Sequence, residues 1–208
     1  MPRAVLFEFT DSDDRCQPAV ANAVATIRRV IERLGVTVTS SIACAQIPDT
    51  RSFDLDKSLG LSEADIVVVG ASLDTDSTSP HLDRFITALE SDERVDDDTG
   101  QRMLYGKVVT LVLCAGDSSA AIPSDPLQRL AALGATVPAG GAVIVSAQCR
   151  QEADTGYSDN AVSVLVAAHN LVWFARLLRN NPIPTNMPMI EAVVRSGKLD
   201  AVAEAIRD

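Results

Sequence analysis

The chain has 208 residues, of which 47% are hydrophobic and 22% charged, and a formal net charge of −10 at pH 7. That length suits a single domain that buries about 70% of its unfolded surface without a metal or disulfide staple. The acid excess excludes partners that need a basic footprint, namely nucleic acid and anionic membrane surfaces.

Its longest apolar runs fall short of the roughly 20 residues a membrane span requires, and MPRAVLFEF moves straight into a strand pattern without a cleavage site. These features predict a cytoplasmic protein that does not engage a membrane.

Val5 to Thr10 reads as a first strand, followed by a helix from Pro18 whose apolar positions Val20, Val24, Ile27, Ile31 and Leu34 recur at helical spacing until Gly35. Val36 to Cys44 alternates and predicts a second strand. Asp65 to Ala71 is a nearly continuous β-branched run, the pattern of a parallel strand buried on both faces. After a polar loop, Ser79 caps a helix with Pro80 at its first position and Leu82, Phe85, Ile86 and Leu89 on its inner face.

Glu90 to Gly106 is a charged connection, too polar for the core and longer than most loops. Lys107 to Cys114 predicts a fourth strand. A helix opened by Asp125 and Pro126 follows it and ends before Gly134. Gly141 to Ser146 predicts a fifth strand, and Ala161 to Leu178 a long apolar helix closed by Arg176, Arg179 and Asn180. Strands alternating with helices predict an α/β fold, a doubly wound five-stranded parallel sheet in the order 2-1-3-4-5. Its ligand site is expected where loops leave the carboxyl ends of the strands near the switch point.

The sequence holds no GxGxxG after the first strand, no GxxxxGK[ST], no GxSxG and no HExxH. No CxxC pair occurs among Cys16, Cys44, Cys114 and Cys149, so the usual zinc and iron–sulfur spacings are absent and no metal is expected. The strand order suggests Cys16 near Cys44 and Cys114 near Cys149, as small buried residues at strand ends. His81 is expected at the surface, and His169 in a packing or hydrogen-bonding role.

Four stretches carry a resemblance: ADIVVVGAS with the following SPHLDRFITAL; DDDTGQRMLYGKV; LQRLAALGATVPAGGAV; and AAHNLVWFARLLRNNPIP. Through them the chain resembles the flavodoxin-like NAD(P)H-dependent FMN reductases, over nearly its whole length to about Pro184. The resemblance implies a flavodoxin-like domain over residues 1–184 and a homo-oligomer with FMN bound across three loops. It further implies that Thr10, Ser12 and Gln17 hold the phosphate, that Ser72, Leu73, Asp74 and Ser77 line the ring, and that Gly116, Asp117 and Ser118 meet its polar edge.

These loops depart from the family pattern. The first reads Thr10-Asp11-Ser12-Asp13-Asp14-Arg15. A helix N-terminus favours an anion by about 1 kcal/mol, whereas one carboxylate ~5 Å from a phosphate charge costs roughly 3 kcal/mol at an effective dielectric of ~20. The second loop has Leu73-Asp74-Thr75-Asp76 where the family has a flavin-facing aromatic. The chain holds only one Trp, two Tyr and five Phe, of which Phe53 and Tyr157 fall in loops near the expected site.

Two functional readings follow. One is an FMN-dependent oxidoreductase passing hydride from NAD(P)H to a quinone or flavin. The other is a homologue that has lost the flavin and serves as a structural or regulatory partner-binding subunit. Residues 185–208 form a tail with the apolar stripes Ile190, Val193, Val194 and Leu199, Val202, Ile206. Such short helices are unstable alone, so the tail is expected to dock either on the chain's own sheet or last helix or on a partner in a homo- or hetero-oligomer.

Overall fold

The computed structural model describes residues 1–10, 16–43, 60–73, 79–92, 101–115, 124–147, 159–182, 191–192 and 195. In chain order its elements are β1 (Arg3–Phe9), α1 (Gln17–Arg33), β2 (Thr37–Ala43), β3 (Ile66–Leu73), α2 (Pro80–Ser91), β4 (Val108–Ala115), α3 (Ser124–Ala132), β5 (Ala142–Ser146) and α4 (Asp159–Asn180). The strands form one parallel sheet in the order β2-β1-β3-β4-β5. This is the flavodoxin-like, doubly wound topology that the alternation of strand and helix signals predicts.

The sheet is a wall between two apolar layers. On one side Val20, Val24, Ile27 and Ile31 of α1 and Val164, Ala168, Leu171 and Ala175 of α4 pack on Ala4, Leu6, Ile66, Val68, Val112 and Val143. On the other, Leu82, Phe85, Ile86 and Leu89 of α2 with Leu130 of α3 cover Val5, Phe7, Phe9, Val67, Val69 and Leu111. Burying each large aliphatic side chain of this kind contributes about 1.5–3 kcal/mol, so both layers are needed to offset the entropy of ordering the chain.

Local signals explain the element ends. The Ser79 side chain accepts from the His81 N–H at 3.3 Å and opens α2, with Pro80 in the first turn as its fixed φ requires. Gly134 ends α3 with φ 91°, and a Cβ there would lie 2.8 Å from the Tyr105 ring.

One irregularity decides which side chains face which layer. The register between β1 and β2 slips, so that Ala4 pairs with Val38 but Val5 with Ser40, and the Thr39 hydroxyl donates to the Ala4 carbonyl at 3.2 Å. A bulge of one residue exchanges the faces. Val38 therefore joins the α1 layer and Ile42 the α2 layer.

Several sequence expectations change. The connection between α2 and β4 is not wholly solvated: Leu104 is buried in the α2 layer, because the turn at 102–105 folds it back under α2. Lys107 is also buried, its ammonium satisfied by the Ser62 and Ala64 carbonyls at 2.9 and 2.8 Å. His81 is half-buried rather than fully exposed, while His169 is exposed on the outer face of α4 rather than packed.

Uninterrupted apolar runs are short, yet one whole helix is strongly apolar on average. The span Ala161–Asn180 is long and apolar enough, by length and composition, to cross a membrane, although a third of it is buried against the rest of the chain. Only short polar interruptions, such as His169-Asn170, break it.

Candidate functional site

The carboxyl edge of the sheet is built from the ends of β1, β3 and β4. Phe9 pairs with Ala71, Ser72 with Cys114 and Leu73 with Ala115, so three loops leave the sheet side by side. The order reverses between β1 and β3, because β2 lies to one side of β1 and the later strands to the other. Loops diverging there leave a crevice.

Above that crevice lies the first turn of α1. Gly70 permits the approach: a Cβ at this position would sit 2.6 Å from Val20 Cγ1 and 2.8 Å from Val24 Cγ2. Only a residue without a side chain lets the helix pack this close to β3. The helix starts at Gln17 with Pro18 in its first turn, no acidic residue in that turn, and a cap residue, Cys16, whose side chain does not cap it. Instead the Cys16 thiol is directed at the Cys114 carbonyl, 3.5 Å away. The N–H groups of a first turn and the positive end of the helix dipole together favour an anion.

Four of the residues expected to contact a cofactor are described. Thr10 follows β1 and is half-buried, Gln17 is exposed at the start of α1, and Ser72 and Leu73 end β3 half-buried. The alternation of β3 sets Ser72 on the α1 side of the sheet, whereas Leu73 packs with the α2 layer. The Ser72 carbonyl accepts from the Ser79 N–H at 3.2 Å, which brings the two ends of the loop before α2 together. Ser12, Asp74, Ser77, Gly116, Asp117 and Ser118 lie outside the described residues, as do Phe53 and Tyr157.

The sequence reading missed Glu8. It sits on β1 between Ala43 of β2 and Gly70 of β3, on the same face as Ala4 and Leu6, and is half-buried. Burial pushes its carboxyl above the ordinary value of 4.5. The signal was available, since Glu8 is the one charged residue within the apolar run AVLFEF and strand alternation assigns it to the α1 face.

The structure also shows a cysteine contact that strand order does not predict. Both Cys16 and Cys114 are buried and adjacent, because Cys16 rides on α1, which crosses from β1 toward β4. Cys44 and Cys149 lie outside the described residues. No group of three or more His, Cys, Asp or Glu that could hold a metal occurs among the described residues.

The described residues fit the phosphate end of a flavin nucleotide better than its ring. The first turn of α1, with no acidic residue and no cap from the Cys16 side chain, supplies anion-binding groups, and Glu8 brings a half-buried carboxylate to the same side of the sheet. Phe7, Phe9 and Phe85 stack on one another inside the α2 layer, with ring centroids 5.0 to 5.8 Å apart, and offer no surface to a ring at the edge.

No protein-family model matches the chain. No curated protein matches it. Among solved structures it is similar to RosB with the bound intermediate 8-demethyl-8-formylriboflavin-5'-phosphate, at 17% identity and a TM-score of 0.73 over 96% of this chain and 89% of that one. It is also similar to apo NADH:FMN oxidoreductase EMOB, at 13% identity and a TM-score of 0.59 over 88% of this chain and 92% of that one. A flavodoxin from Streptococcus pneumonia TIGR4 matches at 16% identity and a TM-score of 0.55, covering 82% of this chain and 98% of that one. At these identities the likeness is one of fold, and the fold is flavodoxin-like.

Proposed function

We propose that the chain is a flavin-dependent oxidoreductase that holds FMN at the carboxyl edge and passes hydride from NAD(P)H to a quinone or flavin acceptor. The observation that carries this reading is the first turn of α1, which holds no acidic residue and is not capped by the Cys16 side chain, pressed onto β3 at Gly70 beside the β1/β3 crevice. Likeness in fold to a flavodoxin, to an NADH:FMN oxidoreductase and to a protein with a bound riboflavin-5'-phosphate derivative adds support.

Thr10, Ser12, Gln17 and the first-turn amides would hold the phosphate. Ser72, Leu73, Asp74 and Ser77 would lie along the ring, and Gly116, Asp117 and Ser118 at its polar edge. When bound, FMN supplies the hydride-accepting centre. The chain contributes orientation, an anion site at α1, and at Glu8 a carboxyl whose burial favours the neutral form and so lessens repulsion of a phosphate at mildly acidic pH.

A second reading has its own support. Glu8 together with Asp11, Asp13 and Asp14 sets four carboxylates in or beside the first loop, and among the described residues Phe7, Phe9 and Phe85 are committed to the core. A homologue that has lost the flavin and binds a partner protein would combine these features.

The experiment is to purify the protein in the presence of FMN, remove excess flavin, and record the visible spectrum and NAD(P)H consumption with a quinone. Retained flavin absorbance and quinone-dependent oxidation are expected. A colourless protein with no change in thermal stability in excess FMN excludes the oxidoreductase and leaves the partner-binding reading.

A further inference from the structure

Cys16 and Cys114 lie 98 residues apart in the chain, yet the Cys16 thiol is 3.5 Å from the Cys114 carbonyl oxygen. Both are buried, at 4% and 0% exposure, in the apolar layer that α1 shares with the sheet. Cys114 pairs with Ser72 across β4 and β3, so the contact lies at the carboxyl edge beside the crevice.

Two features set this pair apart from ordinary small core residues. The first is the place of Cys16 on its helix. A cap position usually holds Ser, Thr, Asp or Asn, whose oxygens accept from first-turn N–H groups, whereas Cys16 makes no such side-chain bond. A local rule broken without a local gain points to another use of the residue. The second feature is direction. Both side chains belong to the α1 layer, and the first sulfur already reaches the residue that carries the second. A disulfide needs Cα atoms about 4.4–6.8 Å apart and side chains that do not diverge, and this contact is the approach from which such a bond starts. The Cys16 carbonyl accepts from the Val20 N–H at 3.0 Å, so its backbone is part of α1 and a bond to it would hold the helix itself.

We propose that Cys16 and Cys114 form a reversible disulfide that pins the start of α1 to the end of β4, a peroxide-sensitive latch at the edge of the crevice. The Cys16 thiolate attacks one oxygen of hydrogen peroxide, the O–O bond breaks, and hydroxide leaves to take up the proton the thiol gave. The Cys114 thiol then attacks the resulting sulfenic sulfur, the S–O bond breaks, and the oxygen departs as water with the second thiol's proton. Two thiols are oxidised to one disulfide and one peroxide is reduced to two waters. A dithiol reverses the change by exchange. Peroxide is little larger than water, and it enters when the first turn of α1 frays, because the first N–H groups of a helix lack intrahelical partners. The latch does not depend on flavin: it fixes the helix terminus whatever anion that terminus meets.

The experiment treats the full-length chain with hydrogen peroxide under native conditions, blocks the remaining thiols, and maps peptides by mass spectrometry without reduction. A link between Cys16 and Cys114, lost on adding dithiothreitol, is expected. Closing a loop of 98 residues restricts the unfolded chain, so the oxidised protein should gain about 5 °C or more in Tm. Hydrogen exchange of the Val20 amide should slow by about tenfold or more. The double variant Cys44→Ser and Cys149→Ser should behave as the native chain, whereas Cys16→Ser and Cys114→Ala should each abolish the link and the gain in Tm. Where a variant fails to fold, the peptide map of the native chain decides by itself.

Three maps would overturn the proposal: no link at all, Cys16 carried on to the sulfinic acid with Cys114 untouched, or either cysteine linked to Cys44 or Cys149 instead. A link between Cys16 and Cys114 that lowers Tm or leaves Val20 exchange unchanged would overturn it too, since such a bond does not hold the helix.

Discussion

Glu8 and Gly70 are neighbours across β1 and β3, and each answers a different question about the crevice. Gly70 sets how close α1 lies. Substituting Gly70→Ala places a methyl group 2.6 Å from Val20 Cγ1, so α1 must back away, at a cost of about 1–3 kcal/mol. Thermal denaturation should show a loss of roughly 2–4 °C for each kcal/mol. Flavin affinity should fall with it, since the first turn moves with the helix.

Glu8 brings a half-buried carboxylate to the α1 side of the sheet. Burial raises its folded pKa above 4.5, so the folded chain holds the proton more tightly than the unfolded chain does. Stability therefore falls as pH rises from 4.5 through the folded pKa, and stays at the lower value above it. Glu8→Gln should abolish this slope and stabilise the neutral-pH protein by less than about 1 kcal/mol, after allowing for solvent screening of a half-exposed carboxyl. In the oxidoreductase reading the same substitution tightens FMN several-fold at neutral pH. Urea denaturation across the pH range and FMN titration at pH 7 check the two effects separately.

At the level of elements, Arg129 ties α3 to α2. Its side chain, 22% exposed, donates to Asp83 and Thr87, and to both oxygens of Glu90 at 2.8 and 2.7 Å. The hydrogen bonds from Arg129 hold the Glu90 carboxyl below its ordinary 4.5. That contribution to stability is present above pH 4.5 and disappears as pH falls through the folded pKa. Arg129→Gln should therefore destabilise the protein at neutral pH and shrink the Glu90 part of its acid-limb slope. The native protein, but not the variant, should lose this increment in high salt, because the carboxylates are solvent-facing.

The same scale shows what a sequence can reveal. β3 and β4 were legible because strands buried on both faces read as β-branched runs, and α2 because Ser79-Pro80 and the set Leu82, Phe85, Ile86, Leu89 agree on where it starts and which face is inside. Ile42 was not, because Val36, Val38 and Ile42 share one parity and only the bulge at Thr39 turns Ile42 to the other layer. Leu104 stands in the short run Met103-Leu104-Tyr105 at the end of a polar stretch, too short to show a periodicity. The contact of Cys16 with Cys114 depends on the path of α1 across the sheet rather than on strand order. At the crevice, alternation could have found Glu8, whereas the absence of a side-chain cap at Cys16 required coordinates.

For the whole molecule, the α1/α4 layer presents two different surfaces. In the proposed reading the carboxyl edge over β1 and β3 binds an anion, while the outer side of α4 leaves Val162, Val166, Trp173 and Leu177 exposed.

The central claim is a phosphate seated on the first turn of α1, and the most direct measurement compares FMN with riboflavin. The two differ only in the phosphate, so fluorescence-quenching titrations of each against the native chain isolate the contribution of the helix terminus. The account predicts that FMN binds about tenfold or more tightly than riboflavin, as charge-assisted hydrogen bonds to first-turn amides imply, and that added salt narrows the gap. Equal affinities, or no binding of either flavin at high protein concentration, would contradict it.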